Sequence, residues 1–126
     1  MRPFEPAEVV RNYRNKRLNP RHITFGVRYR DDGKVTCPDG KCCALSTFFV
    51  GETIDAACGD GDYSIIEAAR RRWPGFSPWS FVCGFDGINP GEPGEIMRLL
   101  DDEPFNEEAY QLGKEVAALV RKEFGV

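Results

Sequence analysis

Apolar and polar positions follow each other along this chain in two rhythms, and each change of rhythm marks where one element gives way to the next. In "PAEVVRNYRNKR" the apolar Val9, Val10 and Tyr13 gather on one side of a helical repeat and Pro6 suits a first turn, which predicts a helix over about residues 6–17. Asn19-Pro20 ends it. "HITFGVRYR" and "KVTC" then read as strands on either side of Asp31-Asp32-Gly33, where Asp-Gly supplies the positive φ values of a tight turn, so a β-hairpin is expected near residues 23–37. The helical rhythm returns in "YSIIEAARRRW", with Ile65, Ile66 and Ala69 inward, Asp62 as N-cap, Arg70 to Arg72 in the last turn and Pro74-Gly75 as the stop.

Two segments do not yield to rhythm alone. Pro38-Asp39-Gly40 is a turn, and the continuous apolar run "KCCALSTFFV" after it suits a buried helix or a buried strand; residues 41–50 are read as helix. Ser77-Pro78 has the form of an N-cap followed by proline at the first helical position. Residues 79–85 are therefore read as a helix fraying at Gly84 and Gly87, with strand as the alternative because of their β-branched and aromatic content. "DGINPGEPGE" is a loop. A last helix is expected near residues 106–124: Asn106 starts it, Glu107 and Glu108 fill its first turn, Ala109, Leu112, Val116, Leu119, Val120 and Phe124 form its stripe, and Gly125 ends it. The elements add up to one small α+β domain over residues 1–126, mostly helical, with an N-terminal β-hairpin.

Composition narrows the class. At 126 residues, 41% hydrophobic and 29% charged, the chain is long and apolar enough to bury a core, and it contains no apolar run of membrane-spanning length. Its start, "MRPFEP", has no apolar stretch of the secretory kind, so a cytoplasmic protein with reduced thiols is expected. Cys37, Cys42, Cys43, Cys58 and Cys83 then read as small buried hydrophobes. A zinc site on Cys37, Cys42 and Cys43 with Cys58 and Cys83 further on is the alternative, but no second close pair completes it and no metal is expected. His22 is the one histidine, and nothing in the sequence pairs it with a nucleophile.

Charge is spread unevenly. Residues 1–30 hold eight Arg and Lys against Glu5 and Glu8, a net +6, whereas residues 92–126 hold four bases against nine acids, a net −5. Arg11, Arg14, Arg17 and Arg21 make a basic patch around the end of the first helix, fit for an acidic protein surface, a second copy of the chain or a nucleic-acid backbone. Trp73 and Trp79 lie in a dense aromatic group with Phe76, Phe81 and Phe85, which suits a core with an indole at its surface edge or a peptide or ligand groove, and the two are read as its contact residues. The leading expectation is a non-enzymatic interaction or regulatory module without a cofactor, acting through protein contacts. The layout resembles that of short uncharacterised bacterial or phage proteins, a likeness that implies no activity.

One stretch points elsewhere. Asp55-x-x-Cys58-Gly59-x-Gly61, in "IDAACGDGD", resembles the first motif of class I S-adenosylmethionine methyltransferases, in which an acid ends the first strand and a small-residue turn lets the backbone approach the cofactor. "FVCGFDG" then looks like the second strand of that fold. The resemblance implies Gly59 and Gly61 against the amino-acid end of the cofactor and Asp86 against its ribose. Ala57 stands where that family usually has a further glycine, and the chain after Asp86 holds too little for the remaining strands. The plainer reading is a turn whose Asp62 caps the helix that follows.

Overall fold

The computed structural model describes residues 2–20, 28–29, 34–36, 40–52, 64–87 and 105–125, with backbone alone at 28–29 and 64–67. Helix α1 spans Pro6–Asn15 and buries Val9, Val10 and Tyr13, the face expected from the pattern. Proline in its first turn fixes φ at no cost in hydrogen bonds, and the Glu8 carboxylate reaches back to accept from the Glu5 N–H at 2.7 Å. Its end comes two residues earlier than the pattern suggests. Arg17 N–H donates to Arg14 O at 3.3 Å and Leu18 N–H to Tyr13 O at 2.8 Å, a paired stop that needs a left-handed residue between them; Arg17 supplies it with φ 56°.

The strands are short. Asn19–Pro20 (β1) pairs in parallel with Lys41–Cys42 (β4), and Arg28–Tyr29 (β2) pairs antiparallel with Val35–Thr36 (β3), Arg28 opposite Thr36 and Tyr29 opposite Val35. The Asp31-Asp32-Gly33 turn and the outer residues of the expected hairpin lie outside the described residues. Residues 41–50 are not a helix: β4 gives way to a tight turn and a single 3-10 turn at Ser46–Phe48. The physical reason is local. Thr47 Oγ1 donates to Ala44 O at 2.6 Å and Cys43 Sγ accepts from the Ser46 N–H at 3.4 Å, side-chain bonds that compete with a helical ladder.

Helices α2 (Ser64–Arg72), α3 (Pro78–Asp86) and α4 (Glu107–Phe124) complete a mostly helical α+β arrangement. Ser77 caps α3 as its sequence predicts, accepting from the Ser80 N–H, and Asn106 caps α4 by accepting from the Ala109 N–H at 2.9 Å. The caps are joined. Ser77 Oγ donates to Ser80 Oγ at 2.8 Å, and Ser80 Oγ accepts from the Asn106 N–H at 3.0 Å, so the buried Ser80 ties the two helix starts together.

α3 lies along the N-terminal half of α4 and crosses it through two glycines. A Cβ on Gly84 would overlap the Tyr110 carbonyl, and one on Gly113 would overlap the Phe81 carbonyl and come within 2.8 Å of the Phe85 N. Gly84 is thus a buried contact rather than part of a frayed end, and Gly87 is an ordered left-handed cap with φ 73°. α1 covers the C-terminal half of α4. Beneath these helices Phe4 is packed among Phe48, Trp73, Phe76 and Phe81, at 4.7, 5.1, 6.0 and 5.6 Å between ring centroids. Among the described residues no helix is long and apolar enough to cross a membrane.

Candidate functional site

Among the described residues, two regions bring chemistry-bearing side chains together. At the first, Tyr13 meets Phe124 edge-on at 5.5 Å, and Arg14 Nη2 donates to Glu123 Oε2 at 2.8 Å while its guanidinium carbon stands 5.7 Å from the Phe124 ring centre. These contacts set the C-terminal ends of α1 and α4 side by side. Arg11, Arg14 and Arg17 are exposed on one, and Arg121 and Lys122 are exposed on the other, with Glu123 as the acid between them. Among the described residues, part of the charge that is separated along the sequence is therefore brought together in space. Arg2 pairs with Glu115 and Arg14 with Glu123, so part of the acidic C-terminal third is the internal partner of the basic N-terminal third.

The other predicted contact residues fare unequally. Arg21 lies outside the described residues. Trp73 is half-buried and meets Phe4, Phe48, Phe49 and Phe76. Trp79 is a correction: at 2% exposure it belongs to the core, so it offers no surface to a partner. The reason is that α3 is apolar all round and is covered on every side, with each residue from Pro78 to Phe85 buried.

The strand that the methyltransferase-like resemblance implies is corrected in the same region. "FVCGFDG" is the second half of α3 and its cap, not a strand, so Asp86 ends a helix and does not stand at a strand edge over a cofactor crevice. Gly59, Gly61 and Asp62 lie outside the described residues, as do Cys37 and Cys58. Cys42, Cys43 and Cys83 are buried and in no disulfide, and among the described residues no three His, Cys, Asp or Glu side chains gather as a metal site would need. Burial, with the Asp86 carboxylate adding to it, pushes the Cys83 thiol up from its ordinary value.

No protein-family model, curated protein or solved structure matches this chain.

The second region is a cavity of about 480 Å³ between the N-terminal Arg2-Pro3, the α2–α3 turn from Arg72 to Ser77, and the start of α4. Trp73, Phe76, Ala109 and Leu112 give it apolar walls, and Arg2, Arg72 and Glu108 bring charge to it. Arg72 is held in place by Glu52, to which its Nη2 donates at 2.6 Å, and by the Phe49 ring 4.8 Å from its guanidinium carbon. Trp73 was visible in the sequence as a contact candidate. Arg2 and Arg72 were not: one sits in a proline-rich start and the other in a triplet that reads as helix-dipole compensation.

Proposed function

We propose that this protein is a non-enzymatic interaction module that docks an acidic protein surface on the base-rich pole made by the neighbouring ends of α1 and α4. Arg17 carries the reading. Glycine or asparagine would close the same helix stop with less strain, whereas an ordinary side chain in the left-handed region costs about 1–2 kcal/mol. A positive charge is thus held where the backbone disfavours its residue type, and strain of that kind gathers at functional positions. Complementing the helix dipole accounts for Arg14, Arg121 and Lys122, which stand in last turns. It does not account for Arg11 or Arg17. Charge matching across such a surface acts mainly on association rate and specificity.

The test separates charge from stability. Arg17→Gly removes both the charge and the strain, so the melting temperature should hold or rise while capture of acidic proteins at low salt weakens. Arg11→Glu combined with Arg17→Glu should abolish that capture with little change in stability, because exposed charges contribute little to folding. Unchanged capture by the double variant overturns the proposal. Capture that nuclease treatment removes overturns it too, and moves the site to a nucleic-acid backbone.

A further inference from the structure

We propose that the cavity beside Trp73 is a binding site for a small aromatic carboxylic acid. Its volume of about 480 Å³ falls within the range of small-molecule sites, and apolar walls with a few placed charges are what such sites have in common. Trp73 and Phe76 bring ring surface to the lining and Leu112 brings aliphatic surface, which suits a flat apolar group. The charges decide its polar end. Arg2 and Arg72 belong to the lining, whereas Glu115, Glu5 and Glu52, the acids that pair with them, do not.

Among the described residues the hydrogen bond of Arg72 runs through Nη2 alone, to Glu52. A guanidinium carries five N–H donors in a planar fork, so Arg72 keeps donors for a carboxylate while the Glu52 pair and the Phe49 ring fix its plane. Glu108 is the acid of the lining among the described residues, and Glu5, Glu115 and Glu52 already offset the charges of Arg2 and Arg72 from outside it. A carboxylate is therefore favoured by the fork of donors that Arg72 presents rather than by net charge, and Glu108 limits how strongly.

Hydrocinnamate and its neutral counterpart hydrocinnamyl alcohol distinguish this from simple apolar uptake, with tryptophan fluorescence and the melting temperature as readouts. Saturable binding of the acid is expected, tighter than that of the alcohol. Arg72→Gln should weaken the acid about tenfold, the loss of one charge-assisted hydrogen bond, and leave the alcohol unchanged. Glu108→Gln should tighten the acid and not the alcohol, and Ala109→Leu, which fills the wall, should weaken both. Absence of saturable binding in the folded wild type overturns the proposal. Equal binding of acid and alcohol, or an Arg72→Gln variant that binds the acid as the wild type does, overturns it as well.

Discussion

Cys83 shows how much one side chain can reveal about its surroundings. It is buried inside α3 three residues before Asp86, and both facts hold its proton on. In the unfolded chain the thiol ionises near its ordinary value of about 8.5, so as pH rises the unfolded state loses the proton first. Its contribution to stability is therefore complete below that value and is lost as pH climbs towards the raised folded value. Cys83→Ala, which removes the sulfur from a packed site, should cost about 1 kcal/mol at neutral pH, and the gap between variant and wild type should narrow in alkali. Urea midpoints across that range measure it; a gap that stays constant shows that the thiol does not titrate differently in the two states. Ser80 is as informative. Its hydroxyl serves Ser77 and Asn106 at once, so Ser80→Ala should cost about 2 kcal/mol, more than the roughly 1 kcal/mol of an ordinary cap, because two partners lose their bond. A thermal or urea unfolding curve matching that of Ser77→Ala would refute the linkage.

Elements were legible where a local rule dictates them. Ser77-Pro78, Asn106 and Gly125 each do in the structure what cap and stop chemistry asks of them, and the apolar faces of α1 and α4 follow their helical spacing. Legibility failed where tertiary contact decides. "KCCALSTFFV" is buried from almost every direction, so its apolar run carried no period, and hydroxyl and thiol bonds to the backbone chose a strand and a 3-10 turn. A glycine within a helix reads as a weak point, yet Gly84 and Gly113 are where two backbones meet. That difference has a sign that can be measured. Intrinsic propensity says Gly113→Ala should stabilise a helix by about 1 kcal/mol. Overlap with the Phe81 carbonyl says the protein should instead lose about 3 kcal/mol, as should Gly84→Ala against Tyr110. Chemical denaturation of the two variants decides, and a gain in stability for either would mean that the helices do not cross there. The candidate sites were half legible for a related reason: Arg11, Arg14, Arg17 and Trp73 stood out by type, whereas the partners that give Arg2 and Arg72 their positions are far off in sequence.

Across the whole molecule the two ends of the described chain are one structural unit. Tyr13 packs on Phe124, and Arg14 reaches Glu123 across 109 positions of sequence. The ion pair is exposed and adds little on its own; a double-mutant cycle between Arg14→Ala and Glu123→Ala should give a coupling below about 1 kcal/mol, and a larger value would make charge rather than ring packing the bond between the helices. Such an arrangement also orders events in time. During synthesis α1 leaves the ribosome well before α4, and the ring that completes the burial of Tyr13 is not made until Phe124 has been added. Closing so distant a contact is entropically slow, so the part of the apolar face of α1 that residues 42–47 do not cover waits for the end of α4 before it is sealed.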